Sequence, residues 1–248
     1  LLWGTFYGAD SFQEKTGLTA RGGTVEELAA VTAYFAQGVM EYADEVERDV
    51  QGVFAVPRSE IFDSAEESYK GVVQLFPCLE ADVLRPKGLI MSRLLSAMDF
   101  TGFYFAFTGE ANVNVDSPAC YLPTTICHEL AHQQGIASEQ ECNFVGIMAA
   151  ITSDDPTYRY SGYLMGYVYL ANALYRVDRD TWQVIRSAIP QEALIDLQYH
   201  RTYWAQFEGP VKTVSTTVYD GYLKANGLEG GMANYGTVVD LLLGFFLQ

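Results

Sequence analysis

Histidine is scarce in this chain: three in 248 residues, at positions 128, 132 and 200. Cations are few as well, 15 Lys and Arg against 31 Asp and Glu, for a net charge of −16. That deficit removes the basic patches on which nucleic-acid binding depends. It also argues against docking to anionic lipid, and it is most simply read as a solubility feature. The four cysteines, Cys78, Cys120, Cys127 and Cys142, include no Cys-x-x-Cys pair, which excludes a zinc ribbon. Cys127 and Cys142 read as buried small apolar side chains, while Cys78 and Cys120 could bridge in an oxidising compartment. No apolar run reaches the roughly 18 residues of a membrane span, and no signal-peptide pattern is visible. Linkers, repeats and low-complexity stretches are lacking too. With 49% hydrophobic and 19% charged residues, the chain can bury a sizeable core, which argues against disorder.

Two of the three histidines stand in Cys127-His128-Glu129-Leu130-Ala131-His132-Gln133-Gln134-Gly135. This is His-Glu-x-x-His. On a helix, residues four apart lie one above the other, so His128 and His132 can offer two imidazoles to one metal ion. Glu129, beside the first ligand, can reach a metal-bound water as general base. A catalytic zinc site needs a third protein ligand and an open position. Gly135 fits the metzincin spacing, but the next slot is Ser138, a poor zinc ligand. Ser138-x-x-Glu141 instead reads as a capping box that opens a second helix, with Glu141 turned back to the helix start. Glu139, at the first helical position, is then free to face the metal, and it is the expected third ligand, with Glu141 as the alternative. Asn143 lies one turn beyond Glu139 and can orient a ligand from behind. Glu139-x-x-x-Asn143 resembles the Glu-x-x-x-Asp signature of gluzincins, with Asn in place of Asp.

The remaining texture predicts an α+β fold, predominantly α: a single zincin-like domain with a small sheet ahead of the metal helix. Residues 1–85 form its N-terminal helical part, 86–152 the sheet and metal-site helices, and 153–248 the C-terminal helical part. Residues 1–23 read as an irregular, aromatic-rich entry segment. Thr24 opens a helix that runs to about Val46, and a second spans about Ser59 to Leu75. Gly88–Met91, about Ala97–Phe105 and Ala111–Val115 are β-like. Residues 110–116 alternate strictly, which predicts a half-buried strand with Glu110, Asn112, Asn114 and Asp116 on its other face. Such a strand can be the sheet edge that binds extended peptide by strand addition, with Asn112 and Asn114 against the substrate backbone. A plain amphipathic strand with a solvated face fits the same pattern. Helices then follow at Leu122–Gln134, from Glu139 to about Thr152, about Thr157–Val177, from an Asp180 cap to Pro190, about Gln191–Phe207, about Val211–Asn226 with Gly227 as its stop, and Tyr235–Phe246.

Three blocks carry a family resemblance: Phe107-Thr108-Gly109-Glu110-Ala111-Asn112-Val113-Asn114, the His128–His132 motif, and Ser138-Glu139-Gln140-Glu141-Cys142-Asn143-Phe144. With the tail blocks Tyr222–Gly227 and Tyr235–Leu242, they resemble an uncharacterised bacterial family. Its members look like a membrane-spanning N-terminal region followed by a zincin-like extracytoplasmic domain. The resemblance covers about residues 85–245. It implies a gluzincin-like site and anchoring to a membrane through a segment outside these residues, and it names no substrate. Cys142 stands where the family pattern leads one to expect Ala.

The expected activity is zinc-dependent peptide hydrolysis, with one Zn2+ ion, a peptide or protein substrate and Glu129 as base. His200 is a candidate oxyanion donor, with Tyr219 and Tyr235 as rivals among 17 tyrosines. Arg201 can read a carboxylate, or it is a surface charge. Two other functions fit the same motif: a catalytically idle zincin-fold module that binds or senses at the cell envelope, and a zinc hydrolase acting on a cell-wall substrate.

Overall fold

The computed structural model describes residues 10–80, 82–215, 217 and 235–248. The chain is mostly helical with one small three-stranded sheet, an α+β arrangement in which α predominates. The helices are α1 (Phe12–Thr16), α2 (Val25–Tyr42), α3 (Arg58–Asp63), α4 (Tyr69–Leu75), α5 (Ser92–Ala97), α6 (Leu122–Gln133), α7 (Glu139–Thr152), α8 (Pro156–Val177), α9 (Arg179–Ser187), α10 (Gln191–Ala205) and α11 (Tyr235–Phe246). Residues 210–215 are also helical. The strands are β1 (Lys87–Gly88), β2 (Gly102–Phe105) and β3 (Glu110–Val113).

Local chemistry explains most boundaries. Thr24 caps α2 through a full capping box with Glu27, and Ser11 does the same for α1 with Glu14. The entry segment therefore holds a short helix rather than irregular chain. The helix expected over 59–75 is two helices, α3 and α4, separated by a turn at 64–68. Asp178, not Asp180, caps α9, accepting from the N–H groups of Asp180 and Thr181. Pro190 separates α9 from α10. The helix expected over 211–226 runs into residues that lie largely outside the described ones.

The layers follow from burial. α2 packs along α8, while α7 sits between α6 and α8 and is touched by α4 and α11. Residues from every one of these helices join a continuous apolar core. The sheet lies against the other side of α6, through β3 and β2.

The sheet order is β1-β3-β2. The strand just ahead of the metal helix is therefore central, not the edge. β3 pairs with β1 in parallel and with β2 in antiparallel register. Nor is it half-solvated: Ala111, Asn112, Val113 and Asn114 are all buried. Of its polar face, Asn112 and Asn114 are covered by protein, while Glu110 and Asp116 at its two ends are half-buried. β1 and β2 are the two edge strands among the described residues. All four cysteines are free thiols, Cys78 exposed and the others buried.

Candidate metal centre

The site forms where α6 ends and α7 begins. His128 and His132 stack one turn apart on α6, their ring centroids 4.9 Å apart. Helix α6 stops at Gln134, and Gly135 takes a left-handed φ of +81° that carries the chain away, a conformation suited to glycine. The turn is closed by Ile136 N–H donating to the Ala131 carbonyl. Ser138 then caps α7, its hydroxyl accepting from Glu141 N–H. This places Glu139 in the first turn of α7, facing back to α6. Its Oε2 lies 3.3 Å from His128 Nε2 and its Oε1 3.7 Å from His132 Nε2. Ligand atoms of His128, His132 and Glu139 all fall within 4.8 Å of one another, a possible metal-binding triad.

The far nitrogen of each ring is held by the protein. Asn143 Oδ1 lies 3.0 Å from His128 Nδ1. His132 Nδ1 lies 2.8 Å from the Ile136 carbonyl oxygen. Both partners only accept, so each Nδ1 carries a proton and each Nε2 is turned toward Glu139. Burial acts to lower the His132 pKa, but Cys142 and Glu139 raise it well above the ordinary value. Behind His132, the Cys142 sulfur sits 3.3 Å from the same Nδ1, and its thiol donates to the Ile136 carbonyl. Burial pushes that thiol up to about 11, so it stays protonated at neutral pH. Burial also acts to raise Glu139, but His132 and His128 hold its carboxyl well below the usual carboxylate range.

Glu129 is buried beside this group and has a different environment. Burial pushes its carboxyl up to about 7, against the pull of His128 and His132. Among the described residues its Oε2 is buried with no hydrogen-bond partner, and an orphaned carboxylate oxygen is costly. The donor set of two imidazoles and one carboxylate, with held outer nitrogens, fits a zinc ion.

The other expected site residues are distributed as follows. Glu141 is not at the triad: its carboxylate accepts from Phe12 N–H at 3.0 Å and from Gln13 N–H at 3.1 Å. The expected capping box is therefore only half made, because Glu141 turns to the N-terminus of α1 rather than to its own. Asn114 is fully buried, its amide donating to Ser96 Oγ and the Phe100 carbonyl and its Oδ1 accepting from Asp116 N–H. Asn112 is buried and donates to the Glu110 carbonyl. Both side chains serve the sheet and its flanking loop, not the cavity. The side chain of Tyr235 and all of Tyr219 lie outside the described residues.

A cavity of about 1790 Å³ opens over the triad, walled by β2, α6, α8 and α10. His200 lines it from α10 and Arg201 stands exposed at its wall. His200 Nε2 accepts from Trp204 Nε1 at 2.9 Å, and its ring meets Tyr121 edge-on at 4.6 Å. Burial pulls its pKa down to about 4, so it is neutral with its proton on Nδ1. Tyr104, which sequence reasoning passed over, lies parallel to His132 with centroids 6.5 Å apart. Its signal was the run Phe103-Tyr104-Phe105, in which the middle residue must face opposite to its neighbours. Phe103 and Phe105 are exposed and Tyr104 is buried.

Residues 1–243 match the model of a family described as a protein of unknown function (DUF3810). No curated protein and no solved structure matches the chain.

Proposed function

The chain belongs to that DUF3810 family, and from the geometry of its site we propose that it is a zinc-dependent metallopeptidase of gluzincin-like design. The observation that carries the reading is the meeting of His128, His132 and Glu139 beside a buried Glu129 whose Oε2 lacks a partner among the described residues. His128, His132 and Glu139 would hold the ion. When bound, zinc polarises a carbonyl and lowers the pKa of its water to about 7. Glu129, itself near 7, is matched to take a water proton and pass it to the leaving amine. Asn143 and the Ile136 carbonyl keep the two rings in the productive tautomer. His200 offers an N–H from the cavity wall, as a candidate donor to the developing oxyanion. Peptide or protein is the proposed substrate.

An extracytoplasmic, membrane-anchored setting is part of the same proposal and rests on the family resemblance. Among the described residues no helix is long and apolar enough to cross a membrane.

The test has two arms. Purified protein should contain one zinc per chain, and His128→Ala should lose it; equal metal in both would remove the site. Against a peptide library, the parent protein should cleave and Glu129→Gln should not. If neither cleaves while zinc is retained, the chain is a binding module built on the same fold.

A further inference from the structure

We propose that Gly102 is a positioning residue, and that its missing side chain is the seat in which the Glu129 carboxylate rests. The inference builds on the reading of Glu129 as base. Gly102 opens β2, one of the two edge strands, and pairs with Val113 of β3. A Cβ placed on Gly102 would meet Glu129 Oε1 at 2.4 Å and its Cδ at 2.8 Å. It would also meet the Asn112 carbonyl oxygen at 2.9 Å. These are distances that real Cβ atoms do not keep. Gly102 is not among the glycines with a left-handed φ, so the backbone does not ask for glycine there. Space does. Glycine inside a strand marks a close approach by another group, and here that group is the catalytic carboxylate.

The opposite side of α6 repeats the arrangement. Gly146 of α7 lies so close that a Cβ would meet His128 N at 3.0 Å and the Thr124 carbonyl oxygen at 3.2 Å. Helix α6 is thus held between two bare backbone positions, one against its first ligand and one against its base. It cannot back away from β2 to accommodate a methyl at position 102, because Gly146 already brings α7 into contact with its backbone. The Asn112 carbonyl must give by the smaller amount, and the carboxylate, as the free end of a flexible side chain, takes the larger displacement. Its displacement leaves the triad in place and misplaces the proton acceptor by about the width of a methyl group. Misplacement on that scale costs on the order of 100-fold in rate.

The experiment uses Gly102→Ala, Glu129→Ala and the double variant in the full chain, with three readouts. Zinc stoichiometry should be unchanged by Gly102→Ala. On a cleaved peptide, Gly102→Ala should lower kcat on the order of 100-fold with little change in KM. The melting temperature supplies a readout independent of activity. Gly102→Ala should cost more in the parent than in the Glu129→Ala background, because truncation vacates the seat, while the clash with the Asn112 carbonyl is common to both and cancels. Equal losses in the two backgrounds would overturn the proposal even if no peptide is cleaved. Parent-like kcat in Gly102→Ala would overturn it as well. A parent protein without zinc or cleavage would instead count against the enzyme reading, and the melting cycle would still decide whether Gly102 seats Glu129.

Discussion

Asn143 and Ile136 do at the candidate metal centre what no ligand can do for itself: they decide which nitrogen of each ring faces Glu139. Asn143→Ala removes the acceptor for His128 Nδ1–H. Zinc affinity should fall about 10–100-fold, while Asn143→Asp, which still accepts, should hold it; a competition titration with a chromophoric chelator measures both. His200 gives a pH prediction. Its folded pKa is depressed to about 4 by burial, against about 6.5 for an unfolded histidine. Between those values the unfolded chain binds the extra proton, so stability is present above about pH 6.5 and is lost as pH falls toward 4. Denaturant titrations from pH 7 to pH 4 should show that decline, and His200→Leu should make it shallower. An unaltered slope would show that His200 is not the group responsible. At this scale the sequence was informative where spacing sufficed. The i, i+4 rule brings His128 and His132 together, and the Ser138 cap phases Glu139. It misplaced Glu141, read as turning back on its own helix start, because the partner of that carboxylate lies 129 residues away; two carboxylates in one turn look alike until the rest of the chain is placed.

Helices with caps and long apolar periods were legible as elements, and α2, α6, α7 and α8 begin where their capping or Pro residues put them. The sheet was less so. Its strands are two to four residues long, too short for alternation to reveal neighbours, and strand order is a property of pairing rather than of any one segment. Hence β3 was readable as a strand but not as the central one, and its polar residues were assigned to substrate when they bond the sheet. The link between α1 and α7 is open to test. Glu141 is buried and accepts from two backbone N–H groups at the start of α1 and from the Gln13 amide. Glu141→Ala strands both backbone donors and should cost about 3 kcal/mol. Phe12, seated against Phe76 and Phe144, should loosen with them, so that hydrogen exchange and protease cleavage rise at residues 10–20 first. Uniform loss across the chain would mean that the contact is not local.

One buried ion pair joins distant parts of the whole molecule. Asp196 of α10, fully buried, accepts from Arg48 Nη1 at 3.0 Å, from Phe54 N–H at 2.8 Å and from the Tyr160 hydroxyl at 2.5 Å. It thereby ties the loop after α2 to α8 and α10. Asp196→Ala should cost about 3–5 kcal/mol, since it leaves Arg48 without its counter-ion in a site largely closed to water. For a chain of this length that is roughly 10 °C in melting temperature, to be read by calorimetry; a shift under about 2 °C would contradict it. Composition foretold a large core but not this joint, because an acidic residue among 31 carries no mark of burial.

Helix α7 carries Glu139 and Glu141 two positions apart, so they leave its first turn in different directions: one to the two imidazoles, one to the leading segment of the chain. That single turn works as a rocker with a short arm on each side. Residues 12 and 13 thus bond to the same helical turn that carries the carboxylate meeting the two imidazoles, with no loop between them.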